Sequence, residues 1–291
     1  MSRLAEALRQ AEGSSIAEHD VVADPDVPGA DEWSEPNPGA RHADQTRAID
    51  IAPHKFSPNA TGKLVVMPAV PASAVEQYRR LAAALHHTQL ERDTKVLMIT
   101  SASPGEGKTL TATNLALTLS ESYRRNVLLI DADLRRPSIH QMFQLPNVLG
   151  LNDGLMSETE QKLSLIQVSE HLTVLPAGRP DNDPMGGLTS ERMRRIVHEA
   201  ASRYDWVVID TPPVGFLSDA NLLVAMVDVA IFVVRAGKSP YRLIQRALDA
   251  VGRNRILGVV LNAVDENVDQ AGYYYYGYYG TPRRQIGSTH A

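Results

Sequence analysis

The residues best suited to chemistry lie in one short stretch, Ser101 to Thr109, which reads S-A-S-P-G-E-G-K-T. Gly105 and Gly107 allow the backbone to turn N–H groups inward around an anion. A helix starting just after them would add the partial positive charge of its N-terminus. Lys108 would then reach the outer phosphates of a nucleotide, and the Thr109 hydroxyl would ligate Mg²⁺. Ser103, Pro104, Glu106 and Leu110 complete the stretch expected to line the ligand, while Ala102 stands where the general pattern has its first glycine. Three acids complement the loop. Asp131 and Asp133 follow the apolar run V-L-L-I, and Asp210 follows V-V-I. Carboxylates facing a phosphate loop supply the hard oxygen ligands that Mg²⁺ requires, so the pattern points to a Mg²⁺–nucleotide site.

These residues need elements to hold them. Short apolar runs rich in β-branched residues predict strands at 95–100, 126–130, 171–175, 205–209, 229–234 and 256–261. Helices are predicted over 74–87 with Ser73 as N-cap, 110–120, 190–202, 219–226, and from Pro240 to Val251 with Ser239 as cap. Such alternation argues an α/β fold, a mostly parallel sheet with helices on both faces. Ligands of such sheets lie beyond the carboxyl ends of the strands, and Lys108, Asp131, Asp133 and Asp210 all follow strand ends.

The chain has 291 residues, 43% of them hydrophobic, with net charge −5 and no cysteine. Disulfides, thiolate metal sites and a cysteine nucleophile are excluded, and the charge gives no sign of a nucleic-acid surface. No apolar run approaches the roughly 20 residues of a membrane span, and the charged start lacks the apolar core of a signal peptide. These features predict a cytoplasmic chain that meets membranes through partners. Residues 1–66 read as a short helix at 3–12, with Leu4 and Leu8 on one face, followed by a disordered linker poor in large apolar residues. Residues 67–265 read as the folded domain, and 266–291 as a flexible tail rich in tyrosine.

The motifs together resemble the bacterial tyrosine kinases of exopolysaccharide and capsule systems, whose fold is a P-loop NTPase related to partition and cell-division-site ATPases. S-P-G-E-G-K-T is similar to that family's Walker A motif, V-L-L-I-D-A-D-L-R to its second, acidic Walker motif, and V-V-I-D-T-P-P to its Walker B motif. The cluster Tyr273, Tyr274, Tyr275, Tyr276, Tyr278 and Tyr279 resembles its C-terminal tyrosine cluster. The resemblance implies transfer of the ATP γ-phosphoryl to those tyrosines, with ATP and Mg²⁺ as cofactors. It further implies that Asp131 accepts the tyrosine proton or orients the hydroxyl. Asp133 would assist, Asp210 would hold Mg²⁺ through water, and Arg135 would stand as the arginine after the acid pair. Partners implied are a membrane chain-length regulator on a separate chain, which would recruit the kinase to the inner face of the membrane, and a tyrosine phosphatase.

Two further points come from the family pattern. Its ring-forming motif E-x-x-R-x-x-R is matched at Glu76 and Arg79, so self-association through that helix is implied, but its last position is Ala82 here. Asn262, after the last predicted strand, stands where related ATPases place a base-reading side chain, and its amide can both donate to and accept from adenine. Two rivals remain. One is a partition-type dimerisation switch, whose loop carries an extra lysine where this chain has Ser103. The other is a nucleotide-binding scaffold with an adhesive tyrosine-rich tail.

Overall fold

The computed structural model describes residues 56–57, 62–157, 163–214 and 223–264. The helix expected at 3–12, nearly all of the linker, the first half of the helix expected at 219–226 and the tyrosine cluster lie outside the described residues.

Seven strands form one sheet: β1 Val96–Ser101, β2 Val127–Asp131, β3 Ile166–Gln167, β4 Leu172–Leu175, β5 Trp206–Asp210, β6 Val229–Arg235 and β7 Ile256–Asn262. Their order is β3-β4-β2-β5-β1-β6-β7. Every pairing is parallel except the antiparallel contact of β3 with β4. The apolar runs explain why the centre is buried on both faces. All six residues of β1 are inaccessible, with Leu97 and Ile99 packed on one side and Val96 and Met98 on the other.

Helices cover both faces, as the alternation predicts. On one side lie α1 Ala72–Arg92, α2 Lys108–Leu117 and the short α3 Ile139–Met142; on the other lie α4 Leu151–Met156, α5 Met185–Leu188, α6 Glu191–Arg203 and α7 Tyr241–Val251. The sequence of α2 is a poor helix former, with Thr109, Thr111, Thr113 and Asn114 in ten residues. Packing holds it instead. Ala112, Leu115, Ala116 and Leu117 are buried against the sheet, and each leucine so placed contributes about 1.5–3 kcal/mol. The helix then loosens into a π-helical turn, Thr118–Ser122.

Several boundaries differ from the sequence expectation. Helix α1 starts at Ala72 with Pro71 as its N-cap and no side-chain cap, so Ser73 lies inside it. It also runs to Arg92, past the predicted end, and closes on Asp93 in the left-handed region at φ 51°. In α7, Pro240 is the N-cap rather than the first helical residue, and Ser239 does not cap it. Order begins before residue 67. Leu64 is wholly buried, and the Asn114 side chain accepts from the Val65 N–H at 3.0 Å and donates to the Lys63 carbonyl at 2.9 Å. Further upstream, the Phe56 ring lies 5.7 Å from that of Phe143, and the Ser57 N–H donates to the Met142 carbonyl. The folded domain therefore takes in residues assigned to the linker. Finally, β7 is an edge strand: Val259 and Leu261 are exposed although the run reads as buried.

Candidate active site

The loop from β1 to α2 turns through Gly105 at φ 77° and Gly107 at φ 95°, both in the region that side chains disfavour. Gly107 has a second constraint, because a Cβ there would run into the Asn262 amide. Lys108 opens α2 and is only 7% exposed, with its Nζ 3.7 Å from Asp133 Oδ2.

Parallel register brings the acids together. β2 and β5 pair so that Asp131 lies beside Asp210. Both side chains are wholly buried. Asp131 Oδ2 accepts from the Ser138 and Ile139 N–H groups, each at 3.0 Å, and Oδ1 accepts from the Asp133 N–H at 3.3 Å. By distance and angle neither Asp210 carboxylate oxygen has a hydrogen-bond partner among the described residues, although the Thr109 hydroxyl lies close enough to favour its charged form. Burial, then the Asp210 charge, pushes the Asp131 carboxyl up to about 8, despite the opposing N–H donors. Burial also pushes Asp210 up, with the Lys108 ammonium pulling the other way. Asp133 is raised by burial as well, and Lys108 offsets part of that shift.

This arrangement can be tested against a metal. A hard cation suits a buried carboxylate short of hydrogen-bond partners, beside a second carboxylate and the Thr109 hydroxyl. Among the described residues no group of three or more His, Cys, Asp or Glu side chains forms a metal site. Mg²⁺ beside phosphates does not need one, since one or two carboxylates with phosphate and water complete its shell. Thr109, Asp131 and Asp210 fit that role.

The residues expected to line the ligand differ in exposure and in where their side chains turn. Pro104 and Gly105 are exposed at the rim of the loop, and Ser103 is half-buried. Leu110 packs into the core rather than lining the site. The Glu106 side chain turns inward and is 3% exposed: Oε2 accepts from the Ser103 N–H at 2.8 Å, and Oε1 accepts from the Ser239 hydroxyl. Arg135 donates to the Asn182 carbonyl. The Asn262 amide, expected to read a base, donates instead to the Glu106 carbonyl at 2.8 Å. On α1, Glu76 pairs with Arg80 at 3.7 Å, whereas Ala82 is wholly buried, so the third position of the ring motif faces the core.

Some functional contributors carried no signal. The Ser138 and Ile139 N–H groups that hold Asp131 act through backbone, which residue type does not reveal. Arg235 donates from Nη1 to the Gly105 carbonyl at 3.1 Å across 130 residues of sequence. No spacing rule reaches that far.

The chain is similar to proteins of one family. A ParA family model described as NUBPL iron-transfer P-loop NTPase matches residues 92–276. Over 209 residues the chain is 36% identical to the tyrosine-protein kinase YwqD of Bacillus subtilis (strain 168), covering 71% of this chain and 86% of that one. It is 31% identical over 205 residues to the putative tyrosine-protein kinase CapB of Staphylococcus aureus, covering 69% and 90%. The solved kinase domain of the Escherichia coli tyrosine kinase ETK superposes with a TM-score of 0.63 at 30% identity, covering 74% of this chain and 81% of that one.

Proposed function

The chain belongs to the bacterial tyrosine kinases, protein-tyrosine kinases on a P-loop NTPase fold, and we propose that it transfers the γ-phosphoryl of ATP to tyrosines of its own C-terminal cluster. The observation that carries this reading is the convergence of Lys108 with Asp131, Asp133 and Asp210 at the carboxyl ends of β1, β2 and β5. Lys108 and the loop N–H groups bind the phosphates. Thr109, Asp131 and Asp210 would hold Mg²⁺, which would neutralise charge on the phosphate oxygens. Asp131, with Asp133 beside it, takes up the proton of the incoming tyrosine hydroxyl. That hydroxyl ordinarily ionises near pH ~10, so a positioned carboxylate that takes its proton as the bond to phosphorus forms lowers the barrier. Arg135 adds positive charge next to the acid pair.

The substrate segment is Tyr273 to Tyr279. Tyr273 is twelve positions after Leu261, and twelve residues of fully extended chain reach about 40 Å at most. β7 runs parallel to β6, so Leu261 leaves the sheet at the edge that carries the site. The setting we propose is exopolysaccharide or capsule biosynthesis and control of chain length, at the inner face of the membrane. A membrane chain-length regulator on a separate chain would activate the kinase, a tyrosine phosphatase would reverse the reaction, and copies would associate through the Glu76/Arg79 helix. No helix among the described residues is long and apolar enough to cross a membrane.

Labelling with γ-³²P-ATP tests the reaction. Tyrosine should carry the label, and truncation after Gly272 should remove most of it while ATP binding persists. Label found mainly on Tyr78, Tyr123, Tyr204 or Tyr241 would sink the tail as substrate.

A further inference from the structure

We infer that Glu106 and Ser239 are positioning residues of the phosphate loop, a carboxylate–hydroxyl lock that sets the loop's shape before a nucleotide arrives. Glu106 lies between the two glycines of the loop, yet its carboxylate is buried and both oxygens are used within the protein. Burying such a group is unfavourable unless each oxygen finds a donor, and here the Ser103 N–H and the Ser239 hydroxyl provide them. Ser239 is itself fixed. Its hydroxyl has the Glu106 carboxylate and, at 3.2 Å, the Arg235 carbonyl as acceptors, while its oxygen accepts the Arg235 N–H at 3.1 Å.

Two more contacts complete the brace from the same side. Arg235 Nη1 donates to the Gly105 carbonyl, and Asn262 Nδ2 donates to the Glu106 carbonyl. Peptide planarity makes these contacts directional. In a trans peptide the C=O and the following N–H point in opposite directions. Pulling the Gly105 carbonyl outward therefore aims the Glu106 N–H inward, and pulling the Glu106 carbonyl outward aims the Gly107 N–H inward. Those are the donors that cradle a phosphate. Every brace residue outside the loop comes from the β6–α7 turn or the ends of β6 and β7; none comes from the acid-bearing strands β2 and β5. Glu106 and Ser239 thus act through the loop backbone and not on the reacting atoms.

The inference rests on the nucleotide reading of the loop, so the test includes a ligand-free measurement. In the full chain without nucleotide, amide hydrogen exchange over residues 103–108 is compared among the wild type, Ser239→Ala, Ser239→Thr and Glu106→Gln. Loss of one charge-assisted hydrogen bond should speed exchange about tenfold in Ser239→Ala and Glu106→Gln, with Ser239→Thr near the wild type. Mg²⁺–ADP affinity should fall by about the same factor, and the KM for ATP should rise more than kcat falls. Faster exchange in a protein whose wild type binds no nucleotide would support the brace while removing the nucleotide reading. Unchanged exchange in Ser239→Ala, or failure of Ser239→Thr to restore it, would overturn the inference.

Discussion

The phosphate loop has two flanks, and each buries carboxylates in a different way. On the β2 and β5 flank, Asp131 and Asp210 are pressed together with raised proton affinities, and by distance and angle Asp210 has no hydrogen-bond partner among the described residues. On the β6 and β7 flank, Glu106 is almost as deeply buried, yet both of its oxygens are satisfied. The first flank is incomplete without a ligand, and the second is complete on its own. Unmet polar demand marks where chemistry happens, and satisfied demand marks what holds the geometry for it.

The largest effects should come from the incomplete flank. Lys108→Met removes the phosphate contact and should bring tyrosine labelling to background; it also takes the cation from beside the buried Asp133 and should lower the melting temperature. Asp131→Asn removes the proton acceptor and should lower kcat by about 10²–10⁴-fold while nucleotide binding largely persists. If Asp131→Asn lost nucleotide as completely as Lys108→Met, the division of labour between phosphate binding and proton transfer would be wrong.

Stability sharpens the contrast through its sign. Asp153 is a satisfied buried acid: its carboxylate accepts from the Gly150 N–H at 3.1 Å and from Arg179 Nε and N–H at 2.8 and 3.3 Å. Burial works to raise its pKa, but these donors outweigh burial and hold it below the usual value. Asp153→Ala orphans the buried Gly150 N–H, while the exposed Arg179 guanidinium returns to water, and should cost about 1–2 kcal/mol in denaturant unfolding. A folded pKa below the unfolded one contributes stability above the unfolded value, about 4, and loses it as pH falls through the folded value. The Asp153→Ala deficit should therefore shrink below about pH 4. Asp210→Asn should do the reverse, removing a charge whose burial outweighs the attraction of Lys108. It should raise stability by about 1 kcal/mol, or about 2–4 °C in Tm, while abolishing labelling. A destabilised Asp210→Asn protein would mean that the Asp210 flank is not strained.

What the sequence made legible follows from local rules. Val127–Ile130 and Val207–Ile209 are β-branched or leucine runs that end in aspartate, so parallel pairing carries Asp131 and Asp210 to one edge without further information. Gly105 and Gly107 announce a turn through residue type alone. The lock was illegible because its halves lie 133 residues apart and no periodicity links them. Ser239 precedes Pro240 and so reads locally as a cap, because the fixed φ of proline suits either side of a helix start. The run Ile256–Leu261 announces a strand, but not that its outer side lacks a neighbour. Residue type likewise does not say whether Glu106 points toward a ligand or away from it.

The smallest effect is the most discriminating for the brace flank. Asn262 ends β7, and its amide is committed at both ends: Nδ2 donates to the Glu106 carbonyl and Oδ1 accepts from the Ala263 N–H, each at 2.8 Å. To read an adenine, that amide would have to release the loop it steadies. Asn262→Ala should cost one partly buried hydrogen bond, about 0.5–1.5 kcal/mol, and so weaken nucleotide binding by about 2–13-fold. Because the lost contact is to the loop backbone, ATP and GTP should weaken alike in a competition titration. The same substitution clears the space that a Cβ at residue 107 would need. Gly107→Ala should therefore recover part of its lost affinity in the Asn262→Ala background, but not all of it, since φ 95° remains unfavourable for alanine. A loss confined to ATP would move Asn262 from the brace to the base and leave Ser239 and Arg235 to hold the loop.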